Sequence, residues 1–110
     1  MSDVMQAKLA EIDSDVKSNK VVLFMKGNEM MAMCGFSARA LQILQASGAE
    51  FVTRDVLQDD VLREAIKQYS EWPTIPQLYV AGEFVGGSDI MMELYQNGEL
   101  QEKLTEAGAA

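Results

Sequence analysis

The chain of 110 residues has no histidine, a single cysteine and only two prolines, and each shortage removes a class of chemistry. Without an imidazole, neither Ser-His-Asp nor Cys-His catalysis can be assembled within the chain, nor any zinc site that needs a histidine. One thiol cannot close an internal disulfide, so redox or metal chemistry here must be built between molecules: with a small thiol, a substrate thiol or a second copy of the chain. Basic residues are also scarce, 9 Lys and Arg against 17 Asp and Glu, for a net charge of −8. That acidic excess argues against a nucleic-acid or anionic-membrane surface, and an anion would need a local positive pocket. No apolar run approaches the roughly 20 residues of a membrane span, and the N-terminus lacks an apolar stretch with a basic flank, so no membrane or secretory route is indicated.

What is present fits one compact domain spanning 1–110, long enough to bury a single core. An unpaired thiol suits a reducing compartment, and because the chain begins directly at its first helix, a bacterial cytoplasmic location is expected.

The order of elements follows from periodicity. From a cap at Ser2 or Asp3, Met5, Leu9, Ile12 and Val16 form one apolar stripe on a helix ending near Ser18-Asn19. Val21 to Met25 is apolar on both alternating faces, which a strand tolerates when it is covered on both sides, as in a central parallel pair. A loop from Lys26 to Met33 leads to a helix starting near Cys34, expected to turn Phe36, Ala40, Leu41 and Leu44 inward and to stop at Ser47-Gly48. Phe51 to Val56 reads as the next strand, giving a βαβ unit with a right-handed crossover. Asp59 caps a helix carrying Leu62, Ala65, Ile66 and Tyr69 on one face. Pro73 and Pro76 punctuate the following loop. Gln77–Val80 and Glu83–Val85 then form a hairpin through Ala81-Gly82. Gly86-Gly87-Ser88-Asp89 supplies a turn and an N-cap for a helix through Tyr95, and a last short helix follows Asn97-Gly98. There is no repeat, linker or low-complexity tract.

The chemistry centres on Cys34. At the first turn of a helix a cysteine sits among unpaired backbone N–H groups at the positive end of the macrodipole, so the thiolate is favoured. A lone cysteine is commonly just a small buried hydrophobe; the strand-end position, Gly35 and the polar Ser37 favour the reactive reading. Thr74-Ile75-Pro76 lies just before a strand, where a cis X-Pro bond would leave the Ile75 amide and carbonyl free to dock an extended peptide. Lys26 and Arg63 are isolated cations, a type that is ordinarily only solvated surface. Gly87-Ser88-Asp89 offers helix N-terminal N–H groups to a carboxylate and the Asp89 side chain to an ammonium, or is simply an N-cap.

Cys34-Gly35-Phe36-Ser37, Trp72-Pro73-Thr74-Ile75-Pro76-Gln77-Leu78-Tyr79 and Val85-Gly86-Gly87-Ser88-Asp89-Ile90 together closely resemble the monothiol glutaredoxins of the Cys-Gly-Phe-Ser type. The likeness spans about residues 4–104, and Lys26-Gly27 stands eight positions before the cysteine as in that family. It implies an α/β, thioredoxin-like fold, a central four-stranded mixed sheet flanked by helices, and a glutathione site. In that site Lys26 and Arg63 would meet the glycyl carboxylate, the Ile75 backbone the cysteinyl backbone, and Ser88 with Asp89 the γ-glutamyl end. A tripeptide with two carboxylates requires cations or helix N-termini, an ammonium acceptor and a strand-like edge. The sequence departs from the family at Asn28-Glu29-Met30-Met31-Ala32-Met33, which lacks the prolines many members carry, so a less rigid loop is expected. Its thioethers could serve Cu(I), but filling space or covering an apolar contact surface is the favoured reading. Some relatives carry a second cysteine where Ser88 stands, which excludes a resolving role for that position here.

A [2Fe–2S] cluster takes four ligands, usually thiolates. Two chains supply two, and two glutathione thiols complete the set. The resemblance therefore implies a glutathione-bridged homodimer that holds a cluster on Cys34 and passes it to apo iron-sulfur proteins. One alternative is a glutathione-dependent oxidoreductase, at most a weak one in this family, in which Cys34 attacks a glutathionylated protein and a second glutathione resolves the mixed disulfide. Another is a regulatory module for BolA-like partners in which the thiol is incidental.

Overall fold

Residues 2–110 are described by a computed structural model. Its centre is a four-stranded sheet of β1 (Val21–Met25), β2 (Val52–Asp55), β3 (Gln77–Val80) and β4 (Glu83–Gly86), ordered β2-β1-β3-β4. β1 runs parallel to β2 and antiparallel to β3, and β3 antiparallel to β4. The expected mixed sheet is present, with the expected central strand paired in parallel on one side only.

The doubly apolar character of β1 has a direct cause: all five of its residues are at most 1% exposed because each face belongs to a different core. Val21, Leu23 and Met25 pack with α2 (Gly35–Ala46), α4 (Ser88–Asn97) and α5 (Glu99–Glu106). Val22 and Phe24 point the other way, into a cluster with Ile12 and Val16 of α1 (Asp3–Ser18) and Ala65 and Ile66 of α3 (Asp60–Ser70). Each such side chain contributes about 1.5–3 kcal/mol by leaving water, so this one strand holds the two helical layers together.

The helix boundaries follow the capping chemistry. Ser2 Oγ accepts from the Met5 N–H at 3.1 Å and Asp59 Oδ1 from the Leu62 N–H at 3.1 Å, each at a helix start. β2 is shorter than the expected Phe51–Val56, because Asp55 accepts from the Leu57 N–H at 2.9 Å and turns Val56–Gln58 into a 3-10 turn. The β3–β4 hairpin turns through Ala81 and Gly82, both at positive φ as its two-residue loop demands. Among the described residues no helix is long and apolar enough to cross a membrane.

Candidate functional site: a thiol at the mouth of a cationic cleft

Three loops converge beyond the carboxyl end of β1 and the amino ends of β3 and α4. The first, after β1, is tied down at several points. The Lys26 N–H donates to Ser37 Oγ and the Gly27 N–H to Asp55 Oδ1, both at 3.0 Å. The Met33 N–H returns to the Lys26 carbonyl at 2.9 Å, and Asn28 Oδ1 accepts from the Met30 and Met31 N–H groups. The loop expected to be loose for want of proline is thus closed by hydrogen bonds, and it delivers Cys34 to the N-cap of α2.

The second loop, before β3, carries a cis Ile75-Pro76 bond, the case the sequence had raised only conditionally. Buried Gln77 braces it, its Nε2 donating to the Trp72 and Thr74 carbonyls at 3.2 and 3.1 Å. Among the described residues neither the Ile75 N–H nor its carbonyl has a hydrogen-bond partner. The third loop places Gly87 at the N-cap of α4, and a Cβ there would stand 3.3 Å from the Pro76 carbonyl oxygen. Glycine lets the two walls close on each other.

Between these loops lies a cleft of about 420 Å³. Lys26, Cys34, Arg63, Ile75, Ser88 and Asp89, the six residues singled out from sequence, all line it. Among the described residues neither Lys26 nor Arg63 forms an ion pair. Asp89 lies 3.7 Å from Arg39, with both side chains well exposed, and a pair so long and solvated adds little stability. Ser88 is buried at the first turn of α4, and its neighbour Asp89 is open to solvent.

Phe36 departs from expectation. Instead of facing the core it is 58% exposed on the cleft rim, and Ser37 takes the buried position at 0%. The cause is the Lys26 N–H: it needs an acceptor inside the fold, and the Ser37 hydroxyl supplies one, which rotates Phe36 outward. Among the other lining residues, Lys67 was not noticed in the sequence, and Trp72 was noticed only as part of a motif, with no role in the site. The spacing of Lys67, four residues after Arg63 and hence on the same helical face, was a usable signal. Its only ion pair among the described residues is a 3.7 Å contact with Glu64.

The cleft acts on the thiol. The Ser37 backbone N–H lowers the Cys34 pKa most; burial opposes it, and the Phe36 N–H, the Ser37 hydroxyl and the Lys26 charge add to the lowering. Sγ makes no capping hydrogen bond of standard geometry, so these N–H groups act as oriented partial charges near a partly exposed sulfur. The thiolate fraction therefore rises below the usual thiol range. Alkylation rate plotted against pH should have its midpoint below that of a free cysteine, with reactivity lost as pH falls through it. Ser37→Ala should move that midpoint upward; an unmoved midpoint would remove the hydroxyl from the account.

Residues 21–85 match the family model described as Glutaredoxin, and the chain belongs to that family. It is 61% identical over 101 residues to a monothiol glutaredoxin, ycf64-like, of Synechocystis, covering 92% of this chain and 94% of that one. A buckwheat glutaredoxin-glutathione complex superposes with a TM-score of 0.89 at 28% identity, covering 99% of this chain and 97% of the other. Reduced apo GrxS14 of poplar gives 0.83 at 46% identity, covering 96% and 97%. The fold is accordingly thioredoxin-like, and the Synechocystis relative is of the monothiol class, in keeping with the single cysteine here.

Proposed function

We propose that the cleft binds glutathione and that two chains, bridged by two glutathiones, hold a [2Fe–2S] cluster as cargo for apo-proteins. The observation that carries this reading is the convergence in one cleft of an accessible thiol with lowered pKa, two cations and the Ile75 backbone edge, which among the described residues have no ion pair and no hydrogen-bond partner respectively. Lys26 and Arg63 take the glycyl carboxylate by charge-assisted hydrogen bonds. The Ile75 N–H and carbonyl pair with the cysteinyl residue as a strand would, and the α4 N-terminus with Asp89 takes the γ-glutamyl carboxylate and ammonium. The tripeptide's sulfur is thereby directed to the end of the cleft where Cys34 stands.

Ligand arithmetic supports sharing. Among the described residues no group of three or more cysteine or carboxylate side chains is placed to hold a metal ion, so a single chain falls short of the four ligands that a cluster takes. Cys34 from each of two chains and two glutathione thiols make up the number. Half of the set is then exchangeable, which suits cargo that must be released.

Thiol-disulfide exchange is the second reading, favoured by the same accessible, acidified thiol. The Cys34 thiolate would attack the glutathione sulfur of a protein-glutathione disulfide, expelling the protein thiolate. A second glutathione thiolate would then attack the glutathione sulfur of the new mixed disulfide, releasing oxidised glutathione and regenerating Cys34. Anaerobic reconstitution with iron and sulfide, with and without glutathione, separates these readings by absorption spectrum and size. A coloured dimer formed only with glutathione is expected, whereas a colourless monomer that rapidly turns over glutathionylated protein would replace the carrier reading with the second.

A further inference from the structure

Gln77 is polar yet fully buried, and it stands behind residues 72–76, which line the cleft. Alternation along β3 turns it to the same face as Tyr79, the side of Phe24 and Ile66, whereas Leu78 and Val80 belong to the other core. An amide in such surroundings is costly unless its groups are paired. Here Nε2 donates to the Trp72 and Thr74 carbonyls at 3.2 and 3.1 Å, and Oε1 accepts from the buried Tyr79 hydroxyl at 3.3 Å. Both amide hydrogens are thus spent on the loop, and the Tyr79 hydroxyl favours the orientation in which they face it.

The bond to Thr74 reaches further than the atom it touches. The Thr74 carbonyl and the Ile75 N–H belong to one planar, trans peptide unit, so they point in opposite directions. Holding the carbonyl toward Gln77 therefore aims the N–H away from it, on a residue that lines the cleft and whose N–H has no partner among the described residues. Resting on the glutathione reading above, we propose that Gln77 is a positioning residue for ligand recognition: through the Thr74 carbonyl it sets the direction of the Ile75 N–H that takes the cysteinyl carbonyl of glutathione. It acts through that shared peptide unit and not by touching the ligand. Without the brace the unit is free to rock, the ligand must fix it on binding, and that ordering cost is subtracted from affinity.

The test is a titration of the full, nitrogen-15-labelled chain with S-methylglutathione, whose capped sulfur cannot exchange with Cys34, followed through the amide resonances. In the wild-type protein the Ile75 N–H resonance should move on binding. The Gln77 side-chain amide resonances should move with it, because a bond to that N–H polarises the peptide unit and strengthens its carbonyl as an acceptor. Gln77→Met, close in volume but without donors, should bind about two- to tenfold more weakly, the worth of one neutral hydrogen bond, and its Ile75 shift should shrink. The preference for S-methylglutathione over its glycyl ethyl ester should stay at the wild-type ratio, and the Cys34 alkylation midpoint should stay in place, whereas a general loosening of the cleft would move both. Undiminished affinity, an undiminished Ile75 shift, or a change in that ratio or midpoint would overturn the proposal. If the variant fails to fold, the wild-type titration decides: Gln77 side-chain resonances that stay still while Ile75 moves, or an Ile75 resonance that stays still while Lys26 and Asp89 move, would overturn the positioning role alone. A wild-type chain in which Ile75, Lys26 and Asp89 all stay still would instead sink the glutathione reading, and this role with it.

Discussion

Cys34→Ser is expected to bind no cluster and to form no mixed disulfide while becoming slightly more stable. A serine hydroxyl does not ionise near neutral pH and is a poor ligand for iron-sulfur clusters, and the chain has no second thiol to take over. The stability gain comes from the position. Cys34 is the N-cap of α2 and makes no side-chain capping bond, whereas serine is among the preferred caps, worth roughly 0.5–2 kcal/mol over a non-capping residue. Denaturant titration should show the gain, and spectra after reconstitution the complete loss. A destabilised variant would mean that the sulfur has a packing role; a coloured one would place the cluster elsewhere.

Lys26→Ala combined with Arg63→Ala should have the next largest effect. Each removes a charge-assisted contact to one ligand carboxylate, worth about 1.5–3 kcal/mol, or roughly ten- to a hundredfold in affinity. The two sit on different elements, the loop after β1 and helix α3, so their losses combine with a shortfall where they share that carboxylate. Calorimetric titration with glutathione measures the loss. Glutathione ethyl ester, with its glycyl carboxylate blocked, should bind the double variant about as well as free glutathione does. A double variant that still prefers the free acid strongly would give the carboxylate to Lys67, the third cation of the cleft. Unchanged affinity in the single Lys26→Ala variant would remove that lysine from the site. The fold should survive, since among the described residues neither cation is in an ion pair.

Much of the architecture was legible because it rests on local signals. The stripe from Met5 to Val16, the caps at Ser2 and Asp59 and the hairpin through Ala81-Gly82 each carry their cause within a few residues. The run from Val21 to Met25 announced a strand covered on both faces, and the two cores account for it. Phe36 was misread because helical periodicity weighs hydrophobicity alone. The deciding interaction is a hydrogen bond from the Lys26 N–H to Ser37 across eleven positions, which no periodic pattern encodes. The closed loop from Gly27 to Met33 was hidden for a similar reason. Its anchor, Asp55, lies on another strand. Six lining residues were assigned roles from sequence, whereas Lys67 was missed and Trp72 had only a place in a motif; both join the cleft once α3 and the loop before β3 fold against the Cys34 end.

Native mass spectrometry of the anaerobically reconstituted protein tests the central claim most directly, because it counts components. Two chains, one [2Fe–2S] cluster and two glutathiones in a single complex, dissociating to bare monomer when glutathione is withdrawn, is the predicted composition. A cluster carried by one chain, or by two chains without glutathione, would contradict it.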